Sequence, residues 1–186
     1  HAQGLLLHLD GARIFNAATS LGITAQKLAE PADSVTFCLS KALCAPVGSV
    51  LCGTRDFIAG ARRIRKQLGG GMRQAGILAA AGIVALEQMA PRLIEDHIRA
   101  RRLAQGLSGM RGISLPLGKP QSNMVYCSID EGVSASSAEI VWVMREQGVL
   151  IGEVAERTYR MVVHYWIDDL AIERTLDAFR NLVANG

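Results

Sequence analysis

The stretch from Leu5 to Asp10 constrains this chain more than any other. It reads Leu-Leu-Leu-His-Leu-Asp, an apolar run that ends on an acid, and it passes through Gly11 and Ala12 into a helical pattern from Arg13 to Leu21. Apolar text that is continuous rather than alternating marks a strand covered on both faces, as in the parallel sheets of α/β proteins. Gly22 then ends the helix where a left-handed residue is favoured.

Further strands are expected at Asp33 to Leu39 and Gly48 to Gly53, joined by the loop Ser40-Lys41-Ala42-Leu43-Cys44-Ala45-Pro46-Val47. From Arg55 the pattern is helical, is broken at Gly69-Gly70-Gly71, and resumes from Arg73 through Met89. Pro91 opens a helix to about Leu107. Strands follow at Ile113 to Leu115 and Asn123 to Ile129, then a helix at Ser134 to Gln147. Strands at Val149 to Gly152 and Arg160 to Trp166 precede a final helix beginning at Asp168. Strand–helix–strand–strand followed by a compact α+β unit predicts two domains, 1–90 and 91–186.

The net charge of +3 is mild, and the basic cluster Arg62-Arg63-Ile64-Arg65-Lys66 carries no interleaved aromatics. Nucleic-acid binding is therefore not expected. No run of eighteen apolar residues suggests a membrane span, and no secretory segment is visible, so a cytoplasmic protein is expected. The cysteines Cys38, Cys44, Cys52 and Cys127 form no C-x-x-C pair. They are expected to be small buried thiols, with no metal site. The chain opens at His1 without a methionine and is in apolar text by Leu5. It is expected to be the C-terminal portion of a longer protein, whose N-terminal half comes from upstream sequence or another chain.

Several sharp motifs are absent. Gly69 to Gln74 lacks the third glycine of a dinucleotide fingerprint, Gly112 to Lys119 is mis-spaced for a P-loop, and neither H-E-x-x-H nor G-x-S-x-G occurs. What remains is Asp10, at the end of one strand, and Lys41, just after the next. Ligands of open α/β sheets bind at strand ends. An amine and a carboxylate there suit pyridoxal phosphate: the amine bonds the cofactor aldehyde, and the carboxylate keeps the pyridine nitrogen protonated. Spacing alone equally allows an acid that caps the next helix and a lysine in solvent.

The text around this pair resembles the L-threonine aldolases, a family of fold-type I pyridoxal-phosphate enzymes. His8-Leu9-Asp10-Gly11-Ala12-Arg13 matches the family's H-x-D-G-A-R, and Ser40 to Ser49 is similar to its S-K-G-L-G-A-P-V-G-S. Arg65 to Gln74 is similar to R-K-x-x-G-G-G-M-R-Q, Gln121 to Val125 to Q-T-N-M-V, and Arg160 to His164 to R-x-V-x-H. Two departures stand out. Ala42 and Cys44 replace glycines beside the lysine, and Tyr165-Trp166 replaces shorter or more polar residues.

The resemblance implies a fold-type I transferase-like α/β fold, made of the C-terminal part of the large domain plus the small α+β domain. It implies Lys41 as the residue that bonds the cofactor, Asp10 as partner of its ring nitrogen, and Ser40 near its phosphate or shaping the turn. Arg13 would fork onto the substrate carboxylate, with Arg160 the second candidate and Arg157 its competitor. Lys66 and Arg73 would reach an anionic cofactor or substrate from a flexible basic loop, across a subunit interface of a homo-oligomer with shared active sites. His8 and His164 are expected to be structural, and Trp142, Tyr126 and Met124 to be core. The implied reaction is retro-aldol cleavage of a small amino-acid substrate, threonine or allo-threonine, to glycine and an aldehyde. Its base would lie upstream of His1. Two alternatives stay open: another fold-type I enzyme, such as an aminotransferase or β-eliminating lyase, and an inactive fragment or interaction module.

Overall fold

The computed structural model describes residues 1–185. The chain folds as two compact units that meet in sequence between Leu93 and Ile94. Among the described residues, no single helix is long and apolar enough to cross a membrane.

The first unit carries a three-stranded sheet in the order β1-β2-β3, formed by His8–Asp10, Ser34–Cys38 and Ser49–Gly53. β1 and β2 are parallel, with His8 opposite Ser34, Leu9 opposite Val35 and Asp10 opposite Thr36. β3 runs antiparallel to β2. A parallel pair needs a crossover, and two helices supply it. α1 (Ile14–Leu21) ends at Gly22, whose φ of 66° is the left-handed cap expected there. α2 (Ala25–Ala29) begins at Thr24, whose hydroxyl accepts from the Lys27 amide at 3.1 Å.

α1 packs on one face of the sheet, where the Phe15 and Phe37 rings meet edge to face at 5.3 Å. Phe15, Phe37 and Val50 pack against the buried cluster of Leu39, Ala42, Leu43, Ala45, Ala85 and Leu93. α3 (Arg55–Gln67) and α4 (Gly76–Val84) complete the unit, and α4 runs into a π-helical turn at Ala85–Met89. The helix expected from Arg73 thus begins only at Gly76, because Gln74 adopts a left-handed φ of 49° that no right-handed helix can include.

β1 is shorter and more open than its apolar text suggests. Leu5, Leu6 and Leu7 lie outside the strand and are exposed, Leu6 by 83%, and only Leu9 of the strand is half-buried. Among the described residues β1 pairs with β2 alone.

The second unit is an antiparallel sheet in the order β4-β5-β7-β6 with three helices. β4 is Ile113–Ser114, β5 Met124–Ile129, β6 Gly152–Ala155 and β7 Thr158–Val162. Burial alternates along β5, so Val125, Cys127 and Ile129 enter the core. There they join Leu103 and Leu107 of α5 (Leu93–Ser108), Ile140 and Met144 of α6 (Ser137–Glu146), and Ile172, Leu176 and Phe179 of α7 (Asp169–Asn185). Ser136 and Glu139 form a reciprocal capping box at α6. Asp168 caps α7 by accepting from the Ala171 amide at 2.8 Å.

Several expectations are corrected here, and among them Met124 and Tyr126 are half-buried rather than core. The strand expected at Val149 to Gly152 lies later, at Gly152–Ala155, because hairpin pairing with β7 selects the register opposite Thr158 to Arg160. Trp142 is not core. The buried face of α6 is taken by Ile140 and Met144, and Trp142 projects from the helix 61% exposed. Of the cysteines only Cys127 is buried, which pushes its thiol up to about 12; Cys44 is exposed, and Cys38 and Cys52 are half-buried.

Candidate functional site

The parallel pairing of β1 and β2 decides the geometry of the site. Parallel strands end at the same edge, so Asp10, which closes β1, and the Ser40-Lys41 loop, which follows β2, share the carboxyl edge of the sheet. This is where α/β sheets bind ligands.

On the β1 side the chain turns sharply. The Gly11 amide donates to the Thr36 carbonyl at 2.7 Å, and the Asp10 carboxylate accepts from the Ala12 amide at 3.1 Å. One carboxylate oxygen thus orders the turn while the side chain stays exposed. Capping and cofactor contact are therefore compatible roles for the same acid. Gly11 is crowded: a Cβ there would lie 3.1 Å from the Thr36 carbonyl oxygen and 3.2 Å from the Ile14 Cβ, so its neighbours would have to give way. Arg13 stands at the head of α1, half-buried, and its Nε is enclosed without a hydrogen-bond partner.

On the β2 side the lysine loop is anchored from beneath. Ala42, Leu43 and Ala45 are buried, whereas Ser40 and Lys41 are exposed. The Ala45 amide donates to the Leu39 carbonyl at 3.0 Å, and the Leu39 amide to the Gly48 carbonyl at 2.9 Å. Within that loop the Cys44 amide donates to the Lys41 carbonyl at 3.0 Å. Of the two residues that stand where glycines were expected, Ala42 adds its methyl to the core, and only Cys44 takes a left-handed φ, 59°.

Asp10, Arg13, Ser40 and Lys41 are thus brought to one edge. Their donor set fits pyridoxal phosphate: an amine for the aldehyde, a carboxylate for the ring nitrogen, and a hydroxyl and a guanidinium for anions. The enclosed, unpaired Arg13 Nε is the group here that most lacks a partner.

Other expected residues lie elsewhere. Lys66 is in the last turn of α3, and the glycine triplet folds back over that helix end, with the Gly70 amide donating to the Arg65 carbonyl at 2.8 Å. Arg73 follows in the same loop and is exposed. Both cations stand apart from the strand-end edge in sequence and in secondary structure, one closing α3 and the other preceding α4.

Arg160 belongs to the second unit, exposed on β7 between Tyr126 of β5 and Gly152 of β6. Arg157 does not compete with it for a carboxylate. Its guanidinium donates to the backbone carbonyls of Ile129, Asp130, Val133 and Ala135 at 2.7–2.9 Å, which occupies the fork.

His8 is not a core histidine. It is exposed on the β1 face that carries Asp10, with Nδ1 2.8 Å from the Ser34 hydroxyl and Nε2 3.4 Å from that of Thr36. His164 accepts from the Trp166 amide at 3.3 Å and so shapes the turn after β7. Sequence reasoning missed the crowding at Gly11 and the turn at Cys44. The glycine is visible within its motif, but the approach of the Thr36 carbonyl is not.

A model of the beta-eliminating lyase family matches residues 1–130. The chain belongs to that family. Its curated relatives include low-specificity L-threonine aldolase 1 of Arabidopsis thaliana, 42% identical over 96% of this chain and 50% of the relative. The low specificity L-threonine aldolase of Escherichia coli K12 is 44% identical over 87% of this chain and 46% of the relative. This member of the family spans about half the length of the curated relatives it matches. A Leishmania major threonine aldolase structure superposes with a TM-score of 0.75 at 21% identity, over 98% of this chain and 53% of the other. The fold is that of the fold-type I pyridoxal-phosphate enzymes, the class to which threonine aldolases and beta-eliminating lyases belong.

Proposed function

We propose that the protein carrying this chain is a pyridoxal-phosphate aldolase that cleaves L-threonine or L-allo-threonine to glycine and acetaldehyde. The observation that carries this reading is the shared strand-end edge of Asp10 and Lys41, in a chain 42% identical to a low-specificity L-threonine aldolase.

When bound, pyridoxal phosphate supplies a ring that draws electrons from the substrate Cα. The residues of this chain position and polarise that ring. The Lys41 amine anchors the cofactor aldehyde. The Asp10 carboxylate holds a proton on the ring nitrogen, which keeps the ring electron-poor. The Arg13 fork grips the substrate carboxylate, a two-point contact that a lysine ammonium does not reproduce. Arg160 is the second carboxylate candidate. The Ser40 hydroxyl would be available to the cofactor phosphate or would shape the turn, and Lys66 and Arg73, which stand apart from that edge, would reach an anionic cofactor or substrate only across a subunit interface. We further infer a cytoplasmic homo-oligomer with shared active sites.

The family description favours a second reading, β-elimination from an amino acid, and product analysis separates the two. With saturating cofactor, threonine yields glycine and acetaldehyde from an aldolase, but a 2-oxo acid and ammonia from an eliminating lyase. Borohydride reduction of the holoenzyme followed by peptide mapping is expected to place the pyridoxyl group on Lys41. Label on Lys66 or Lys119 instead sinks the assignment.

A further inference from the structure

We propose that Cys44 is a positioning residue for Lys41: the turn it closes holds the lysine in its presented position, and the thiol helps to set that turn. The inference rests on the reading of Lys41 as the cofactor-bonding residue.

The loop from Leu39 to Ala45 must do two opposed things. It buries Ala42 and Leu43 in the core, and it keeps Ser40 and Lys41 exposed. It also returns the chain so that the Ala45 amide meets the Leu39 carbonyl at 3.0 Å. The Cys44 amide closes the inner turn on the Lys41 carbonyl at 3.0 Å, and the chain reverses at Cys44 through a φ of 59°. Residues with a Cβ rarely adopt that conformation, because the Cβ crowds the neighbouring carbonyl. Glycine adopts it freely, but it adopts the opposite hand as freely and so fixes the turn less well.

Cysteine occupies the position with a compensating contact. Its Sγ–H donates to the Ala42 carbonyl at 3.4 Å, within the same turn. A weak donor on a short side chain thus ties residue 44 back to the residue beside the lysine. The Lys41 carbonyl and the Ala42 carbonyl are both held by Cys44, one through its amide and one through its thiol. Freedom lost at those two carbonyls is freedom lost by the backbone from which the Lys41 side chain projects.

The test uses the holoenzyme and the variants Cys44→Ala, Cys44→Ser and Cys44→Gly. Two quantities are read: the yield of pyridoxyl trapped on Lys41 by a brief borohydride pulse at half-saturating cofactor, and the thermal midpoint of the apoprotein. Cys44→Ala, which keeps the Cβ but has no donor, is expected to lower the trapped yield about threefold, the scale of one weak hydrogen bond. Cys44→Ser, whose hydroxyl can make the same contact, is expected to restore it. Cys44→Gly is expected to lower the yield while leaving the apoprotein midpoint unchanged or raised, because strain is relieved as order is lost. Wild-type yield in Cys44→Ala and Cys44→Gly overturns the proposal. So does a loss of yield that merely follows a loss of thermal stability across the series. Absence of label on Lys41 in the wild type is a different failure, that of the function reading itself.

Discussion

Asp10 lies opposite Thr36 across the parallel β1–β2 pair, and the Thr36 carbonyl accepts the amide of the very next residue, Gly11, at 2.7 Å. The strand that leads to the lysine loop therefore also holds the turn that presents the acid. One backbone hydrogen bond thus joins the turn after Asp10 to the strand that precedes the lysine loop.

Asp10→Asn isolates the charge from the shape. Asparagine keeps an oxygen that can accept from the Ala12 amide, so the turn is preserved. Thermal stability is expected to change little. Turnover of threonine at saturating cofactor is expected to fall by about a hundredfold or more, equivalent to about 2.7 kcal/mol of transition-state stabilisation. A decrease of less than about threefold, below 1 kcal/mol, shows that the ring nitrogen does not depend on this carboxylate.

Gly11→Ala attacks the same turn sterically. The added methyl meets the Thr36 carbonyl oxygen at 3.1 Å and the Val35 Cγ2 and Ile14 Cβ at 3.2 Å. These atoms belong to a paired strand and a helix start and have little room to yield, so a destabilisation of about 1–3 kcal/mol is expected. Urea unfolding measures it. Cofactor trapping on Lys41 is expected to fall in the same variant, because Asp10 moves with the turn.

Arg157→Ala tests the assignment of that arginine to the scaffold. Four carbonyls, those of Ile129, Asp130, Val133 and Ala135, lose the guanidinium together, and that of Asp130 keeps a backbone donor, the Val133 amide at 3.3 Å. A loss of about 2–4 kcal/mol in urea is expected. Arg157→Lys is expected to recover little of it, since a single ammonium cannot span the fork. If Arg157→Ala instead raises KM while stability stays intact, the arginine binds substrate.

His97 supplies a pH dependence of stability. It is fully buried on α5, and burial lowers its pKa below the ordinary 6.5, helped by Arg101 and opposed by Asp96. The unfolded chain therefore binds the proton more readily than the fold does. Stability is complete above 6.5, the ordinary value, and declines as pH falls below it toward the lowered folded value. His97→Gln is expected to flatten the urea-stability slope between about pH 5 and pH 7. An unchanged slope in that variant means that other groups carry the dependence.

Much of the site is legible in the order of the residues alone. Asp10 ends an apolar run and Lys41 follows the next strand, and those are local facts of composition and order. The helix signals are local too: Gly22 adopts the left-handed cap, and Asp168 caps α7, because capping needs only near neighbours along the chain. The same locality explains why α2 escapes a reading of the sequence, since Thr24 is the only cue to a five-residue helix.

Features that escape the sequence depend on partners far away along the chain. Leu5 to Leu7 read as buried strand, yet burial is a property of what covers a segment, and among the described residues β1 pairs with β2 alone. Val149 and Val154 carry equal β propensity, and pairing with β7 selects the later segment. Trp142 is apolar enough for a core, but Ile140 and Met144 take the inward face of α6. Arg157 and Arg160 are the same residue type three positions apart. Only the carbonyls that the tertiary fold gathers around Arg157 make one a clamp, and the other stays exposed on β7. Residue order alone fixes which groups reach the strand ends. Which polar groups are already spoken for is settled only in three dimensions, because hydrogen bonds are satisfied by proximity in space and not along the chain.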